Sequence, residues 1–316
     1  GGEYAISTSS VKSGMIVLRH ELGHNFGDVG EEYDGGQVYS GANYSRTPNV
    51  PWAHWAPNGG IKTYDAMSLG GEYSWKNLST GGVSANFAVP SGDFNVLVDM
   101  SSVGWETADD VISAIDGQTI QHPGPFSNDR ELFQLGPKPM APGSHKLTFT
   151  ENKHDGDNVL AFYRLYAYPT SYNFTKANVG AFVSFSEGNN KVGYRPTHDS
   201  CLMRDMTTPK FCVVDKENMW HRFLKRMSLI DDVKVGMNRN SRGKMVQLVT
   251  PKLQGLSANW YKVEAGKETE LTECKDKFSW EVPTTLTGTV RVRVKYVTPE
   301  VRKYADYFGA VKDFSL

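Results

Sequence analysis

The sequence predicts an α+β chain, with helices at two places and strands in two longer modules. An apolar stretch that begins near Val11 and ends at Gly27 has the spacing of a helix that buries one face. A second amphipathic stretch, residues 215–230, predicts another helix. Elsewhere, apolar and polar residues alternate in short segments separated by Gly, Pro, Asn and Asp, which indicates β-strands.

Individual strands are predicted where the alternation is clearest. Residues 2–9 predict a short strand before the first helix. Residues 108–117 leave two interpretations open, a short helix or a pair of strands. The remaining predicted strands are 94–101, 145–152, 159–169, 244–250, 259–262, 277–283 and 289–298.

Length and charge limit the possible functions. The 316 residues are enough for two or three domains, each with its own core. The 34 basic and 35 acidic residues nearly balance and form no basic stripe, so we expect no nucleic acid and no anionic membrane as a partner. No apolar run approaches the roughly 20 residues that cross a bilayer, and we expect no membrane span.

The first helix carries the motif HELGH, which is typical of zinc hydrolases. His20 and His24 are four residues apart, so their side chains project from one face of a helix and can share one Zn²⁺. Glu21 can reach a metal-bound water, whose pKa zinc lowers to about 7. The motif therefore predicts His20 and His24 as zinc ligands and Glu21 as the general base.

A third protein ligand is expected from the carboxylates that follow the helix. On an unbroken helix Glu31 would return to within about 20° of His20, whereas Glu32 would lie about 120° away. Gly27 and Gly30 interrupt the helix, so both carboxylates stay open, with Glu31 as the first choice and Glu32 as the second. We expect the other one to orient a ligand histidine or to cap the turn.

The stretch HELGHNFGDVGEEYD resembles the motif of the immunoglobulin-A-peptidase family of zinc metallopeptidases. That motif is HExxH, a glycine three residues on, and Glu-Tyr after four more, and Gly27, Glu32 and Tyr33 match it. Glu31 stands where the family often has Asp, and Gly30 departs from the wider metzincin pattern, which has His or Asp there. The resemblance covers residues 1–55 and about 190–230.

The resemblance implies a zincin-like catalytic subdomain. In metzincin-like enzymes a turn bearing methionine passes beneath the zinc ligands, and Met203 resembles that residue. Further candidates for contacts to the transition state or to substrate are His198, Tyr194 and His54, although a turn-stabilising role stays open for His198 and a packing role is favoured for His54. The expected segments are 1–84, a catalytic part with the HExxH helix; 85–175, an inserted all-β module; 176–232, the catalytic part continued; and 233–316, a C-terminal β-sandwich.

Cysteines and sequons point to an extracellular protein. Of the three cysteines, Cys201 and Cys212 are close enough to close a small loop, which predicts a disulfide that staples the turn carrying Met203. Cys274 is then free or paired outside this chain. Glycosylation signals, which fit a secreted or cell-surface glycoprotein, occur at Asn43, Asn77 and Asn173.

Together these residues predict a secreted zinc metalloendopeptidase that acts on protein or peptide substrates, with Glu21 as base and then as proton donor to the leaving amine. One alternative is a non-enzymatic extracellular structural or adhesion protein that retains a zincin-like half. A second is a carbohydrate-binding module with an accidental HExxH. Only about ten residues precede the HExxH helix, so we expect a further N-terminal segment or a partner chain to complete the cleft.

Overall fold

Strands dominate the computed structural model, which describes residues 4–11, 13–36, 39–57, 60–172, 174, 178–237 and 243–316. Strands hold 41% of the residues and helices 13%, and the described part contains two α-helices. The predicted α+β class with a zincin-like subdomain is therefore wrong. The physical reason is that the apolar residues of this chain are buried mainly by pairing and stacking strands rather than by helices.

Two α-helices, several short helical turns and 19 strands follow one another along the described chain. The two helices are α1 (Gly14–Leu22) and α2 (Val213–Leu224), with a π-helical turn at Gly23–Gly27 and 3₁₀ turns at Ala53–Trp55, Leu78–Thr80, Thr272–Cys274 and Asp306–Phe308. The strands are β1 (Thr63–Tyr64), β2 (Met67–Glu72), β3 (Lys76–Asn77), β4 (Val83–Val89), β5 (Phe94–Val103), β6 (Val111–Ile115), β7 (Gln118–Ile120), β8 (Glu131–Met140), β9 (Gly143–Glu151), β10 (Val159–Pro169), β11 (Ala181–Phe185), β12 (Lys191–Arg195), β13 (Asp232–Met237), β14 (Lys244–Val249), β15 (Leu256–Glu264), β16 (Lys267–Glu270), β17 (Ser279–Glu281), β18 (Thr289–Tyr296) and β19 (Gly309–Ser315).

The chain divides into two compact units, Gly1–Asp215 and Lys216–Leu316. Most of the first unit is a β-sandwich of two sheets, ordered β2-β10-β5-β8 with β3 beside β10, and β4-β9-β6-β7. Both sheets contribute to one core, which includes the fully buried Met100, Leu147 and Phe149. The strands predicted at 94–101, 145–152 and 159–169 are confirmed as β5, β9 and β10.

A smaller sheet of the first unit, β1-β11-β12, lies in the part of the fold that holds the candidate site. Strand β11 is buried along its whole length, and it pairs in parallel with β1 and antiparallel with β12. The adjoining core contains Trp52, Trp55 and Met203. This small sheet gives the loops around α1 a buried floor on which to pack.

The second unit consists of two antiparallel sheets, β13-β14-β17 and β16-β15-β18-β19, around one core. Strand β18 shows why the strands of this unit could be predicted from the sequence. Its valines are buried, while Arg291 and Arg293 on the other face form ion pairs with Glu268. Period-two alternation of this kind is typical of a strand with one face in the core. The strands predicted at 244–250, 259–262, 277–283 and 289–298 are confirmed.

Two local predictions need correction, and one open choice is decided. The described part of 2–9 is not a strand, and the exposed Tyr4 and Ile6 there have no apolar surface to cover them. At residues 108–117 the strand pair is the alternative that the structure shows, because β6 pairs antiparallel with β7 just after this segment. Helix α2 ends at Leu224 rather than near 230, where the Ser228 hydroxyl bonds the backbone of Ile230 and favours a turn.

Within the described residues, no helix is both long and apolar enough to cross a membrane.

Candidate metal centre

The histidines of HELGH lie on the last turn of α1 and on the π-helical turn that follows it. Asp28 then adopts the left-handed conformation, with φ of 54°, and this reverses the chain. The returning loop is held by Asn43, whose Oδ1 accepts a hydrogen bond from the Gly30 amide at 2.7 Å. The next residue, Glu31, is thereby placed over the two imidazoles.

Three donor atoms converge at this point. The Nε2 atoms of His20 and His24 are 3.2 Å apart, and they lie 3.3 and 2.9 Å from the two carboxylate oxygens of Glu31. Ligands of a tetrahedral zinc ion lie roughly 3.4 Å from one another, given Zn–N and Zn–O bonds of about 2.0–2.2 Å. The three residues therefore have the spacing that one Zn²⁺ requires.

The remaining ring nitrogens are oriented by backbone carbonyls. The Nδ1 atom of His20 lies 3.2 Å from the Leu202 carbonyl oxygen, and that of His24 lies 2.8 Å from the Val29 carbonyl oxygen. An imidazole that donates from Nδ1 presents the lone pair of Nε2, which is the form that binds a metal. In addition, Oε2 of Glu31 is buried and faces Nε2 of His20 at 3.3 Å. Both observations fit a zinc ion between these side chains.

Charges in the cluster are arranged to keep Glu31 ionised. Burial raises the pKa of Glu31, but the two histidines beside its carboxylate outweigh burial and lower the pKa to about 2. Burial lowers the pKa of His24, yet the hydrogen bond and the charge of Glu31 raise it overall. Glu31 is thus an anion at any ordinary pH, as a metal ligand must be.

Tyr33 belongs to the same cluster, although at the level of sequence it was only a match to the motif. Its hydroxyl donates to Oε1 of Glu31 at 3.0 Å, and its ring stacks on His20 with centroids 6.0 Å apart. Burial raises the pKa of Tyr33, so the hydroxyl keeps its proton and stays a donor. Tyr33 therefore positions the carboxylate.

Asp34 anchors the ligand loop to the body of the first unit. Its carboxylate accepts hydrogen bonds from the Tyr166 hydroxyl and the Phe185 amide, both at 2.7 Å, and pairs with Arg204 at 2.9 Å. All of these groups are buried. Burial raises the pKa of Asp34, but the charge of Arg204 outweighs it, and the pKa is lowered. No sequence pattern pointed to this anchor, because its partners are more than 130 residues away.

The cluster opens into a cavity of about 820 Å³, a size typical of sites for small ligands. Glu21, beside His20 on α1, lines the cavity together with Tyr33. The opposite side comes from the β-sandwich, where Tyr73 stacks on Phe162 with ring centroids 5.6 Å apart. The inserted module, in which no site was predicted, thus forms part of the cavity wall.

Met203 packs against the turn that carries His24. A Cβ added to Gly23, the residue before His24, would come within 2.7 Å of the Met203 sulfur, so a larger residue there would require the Met203 side chain to shift. The Met203 carbonyl also accepts from the Glu32 amide at 3.0 Å. The position matches the floor that the family resemblance implied for this methionine.

The three other predicted contact residues do not line the cavity, as far as the described residues show. His198 is buried against aromatic rings, and its Nδ1 lies 2.8 Å from the Tyr172 hydroxyl. Tyr194 pairs through its backbone with Ser45. His54 lies in a 3₁₀ turn beside Trp55. Each occupies a structural position.

Glu32, the second choice for the third ligand, points away from the histidines. It is fully buried and accepts hydrogen bonds from the Asn43 amide at 3.1 Å and from the Thr197 hydroxyl at 3.3 Å. Asn43 is itself 1% exposed, so glycosylation there is ruled out by burial. The Asn77 side chain is engaged in the turn at Ser79, and Asn173 lies outside the described residues.

The predicted Cys201–Cys212 disulfide is wrong, because both residues are free, buried thiols, and so is Cys274. The Cys201 thiol instead donates to Oδ2 of Asp215 at 2.8 Å. A short spacing between two cysteines fixes only the size of the loop they would close. The spacing alone cannot show that the Cys201 thiol is bonded to the Asp215 carboxylate and not to the Cys212 sulfur.

No family model and no curated protein matches the chain. Among solved structures, a ruminal GH26 endo-β-1,4-mannanase is 14% identical with a TM-score of 0.26, over 46% of this chain and 30% of the mannanase. A β-glucuronidase from an uncultured Clostridium sp. is 11% identical with a TM-score of 0.18, over 74% of this chain and 34% of that chain. A β-glucuronidase from Ruminococcus gnavus is 9% identical with a TM-score of 0.18, over 74% of this chain and 35% of that chain.

The comparisons contradict the predicted secreted zinc metalloendopeptidase, since these three structures are glycoside hydrolases and none is a peptidase. They give no support to the non-enzymatic alternative either. The coarser prediction, an enzyme, agrees with them. The chain spans about a third of the length of these structures, with coverages of 30%, 34% and 35%. At TM-scores of 0.26 and 0.18 the likeness assigns no substrate to this chain.

Proposed function

We propose that the chain is a zinc-dependent hydrolase whose metal is held by His20, His24 and Glu31. The observation that carries the proposal is the convergence of their donor atoms, which lie 2.9–3.3 Å apart at the edge of a cavity. Three protein ligands beside open space are the arrangement of a catalytic zinc site, in which the fourth position is left for water. A structural zinc site would be closed.

Glu21 is the proposed general base. It neighbours His20 on α1 and lines the same cavity. Bound zinc would lower the pKa of that water to about 7, which brings its proton within reach of a carboxylate at neutral pH. Glu21 would take the proton and return it to the leaving group.

The resemblance of residues 20–34 to the immunoglobulin-A-peptidase motif supports the metal and the base, and it stays a prediction. It assigns no substrate here. The cavity itself offers aromatic faces at Tyr73 and Phe162, and Arg130 lies over the Trp75 ring at 5.2 Å. A substrate with both flat apolar and anionic groups would find partners on that wall.

The proposal is tested by zinc content and turnover measured on the same protein. The purified chain is assayed against a panel of amides, esters and glycosides, before and after treatment with a chelator. We expect turnover of at least one class, loss with the chelator and recovery with Zn²⁺. A His20→Ala/His24→Ala variant should lose both this zinc and turnover, whereas His154→Ala, an exposed histidine of the β-sandwich, should keep both. Unchanged zinc content in the double variant would contradict the proposal.

A further inference from the structure

A second cluster of metal-binding side chains lies in the core of the first unit. It consists of Glu32, Cys201, Cys212 and Asp215, which are 0%, 0%, 6% and 0% exposed. Each contributes one donor atom, and all four atoms lie within 4.8 Å of one another. None of these residues lines the cavity of the first centre, so the cluster is separate from it.

Hydrogen bonding accounts for only part of this arrangement. The Cys201 thiol donates to Oδ2 of Asp215 at 2.8 Å, while the Cys212 sulfur is 4.0 Å from Oε1 of Glu32. The other Asp215 oxygen, Oδ1, is buried and has no hydrogen-bond partner among the described residues. Burying a carboxylate oxygen without a partner is costly, and buried charges are normally paired or coordinate metals. An unpartnered oxygen among two buried carboxylates and two buried thiols therefore fits a bound cation.

We propose that Cys201, Cys212, Asp215 and Glu32 bind a second Zn²⁺ in a closed, four-coordinate structural site. Bonds of about 2.3 Å to sulfur and 2.0–2.2 Å to oxygen place tetrahedral ligands roughly 3.4–3.8 Å apart. The Cys212–Glu32 distance of 4.0 Å is close to that value, and the Cys201–Asp215 hydrogen bond would lengthen by less than about 1 Å. As the two Zn–S bonds form, both thiol protons leave to solvent.

A backbone amide is already directed at the Cys201 sulfur. The Cys212 amide donates to the Cys201 sulfur at 3.2 Å, which stabilises negative charge on that sulfur. Zinc binds cysteine as the thiolate and is commonly held by cysteine in structural sites. A softer cation could compete for the sulfurs, but the two carboxylates favour zinc over Cu(I).

The second cluster lies between the two chain segments that position the first centre. Glu32 is the chain neighbour of Glu31, and its amide bonds the Met203 carbonyl. The Leu202 carbonyl, one residue after Cys201, orients His20. A zinc ion between Glu32 and Cys201 would therefore fix both segments that position the first centre, and removing it should loosen that centre without touching its ligands.

Zinc stoichiometry tests this site without reference to activity. We expect two zinc ions per chain by elemental analysis, one in His20→Ala/His24→Ala, and one in Cys201→Ser/Cys212→Ser. Cys274→Ser, which removes the buried thiol outside the cluster, should keep two. One zinc in the unaltered chain, lost with the histidines, would overturn the second site and leave the proposed function standing. Two zinc ions retained by the cysteine variant would overturn it as well.

Cobalt substitution keeps the test decisive if the cysteine variant fails to fold. The unaltered chain, loaded with Co²⁺, should show the intense near-ultraviolet charge-transfer band of cobalt–thiolate bonds, and the His20→Ala/His24→Ala variant should keep it. Absence of the band from fully loaded protein would refute cysteine ligation. So would a Cys201–Cys212 disulfide found by mass spectrometry in protein purified without oxidant.

Discussion

Two neighbouring carboxylates, Glu31 and Glu32, face opposite ways and serve clusters of different character. Glu31 joins two histidines at the rim of a cavity of about 820 Å³, with three donors and open space for a fourth. Glu32 joins two cysteines and an aspartate in the core, where the cluster has four donor atoms and none of its residues lines the cavity. Three ligands beside open space suit catalysis, and four buried ligands suit structure. The comparison teaches that access to the cavity separates two clusters whose carboxylates are neighbours in the chain.

The largest effect is expected from Glu21→Gln, which tests whether the cluster of His20, His24 and Glu31 is catalytic. Loss of a general base should lower turnover by about 10²–10⁴-fold, while zinc content stays unchanged. Both are measured on the same preparation. Glu187→Gln removes another cavity carboxylate and should leave turnover near that of the unaltered chain. Equal losses in the two variants would refute the assignment of Glu21.

The next largest effect concerns the loop that carries both glutamates. Arg204→Met leaves Asp34 buried without its partner at 2.9 Å, and breaking such a pair costs about 3–5 kcal/mol. The free energy of unfolding is measured by urea titration. Arg291→Met is the control, because its pairing with Asp313 and Glu268 is screened by solvent and its loss should lower the free energy of unfolding far less. A cost below about 1 kcal/mol for Arg204→Met would show that this ion pair does not hold the loop.

Separate substitutions of the adjacent glutamates sharpen the comparison directly. Glu31→Ala removes a ligand and should abolish zinc binding at the histidine centre. Glu32→Ala removes a neighbour of that centre and should weaken its zinc affinity by about 10–100-fold. Competition with a chromogenic chelator, in a Cys201→Ser/Cys212→Ser background, reports this centre alone. The reverse order of effects would exchange the roles of Glu31 and Glu32.

The smallest effect is expected from Tyr33→Phe, which removes the hydroxyl that donates to Glu31 at 3.0 Å. One hydrogen bond to a charged group is worth about 1.5–3 kcal/mol at most, and partial exposure of Tyr33 lowers that value. We expect zinc affinity to fall by about tenfold in the same competition assay. Tyr39→Phe, a nearby tyrosine bonded to the Phe185 carbonyl, serves as the control and should change affinity little.

Sequence went furthest where one local pattern decides the structure. HELGH placed two imidazoles on one helical face, and alternation along β18 marked its buried valines. Glu31 was the first choice on helical geometry, yet the structure places it by a π-turn and a left-handed Asp28 that no spacing rule contains. The wall at Tyr73 and Phe162 comes from parts of the chain about 40 or more residues from the motif, and such contacts need the fold.

The cysteine prediction failed for a related reason. Cys201 and Cys212 are close in sequence and in space, but their partners are Asp215 and Glu32, and the last of these lies 180 residues before Cys212. The fold class was wrong because the motif resembles a helical family, whereas composition and alternation along most of the chain favoured strands. A motif identifies local chemistry more reliably than it identifies the surrounding fold.

The most direct test of the zinc centre is an anomalous difference map from crystals measured on either side of the zinc absorption edge. We expect a peak bounded by Nε2 of His20, Nε2 of His24 and the carboxylate of Glu31, at the mouth of the cavity. The second site adds a peak among Cys201, Cys212, Asp215 and Glu32. No peak between the two histidines and Glu31, in crystals grown with zinc present, would contradict the proposed metal centre.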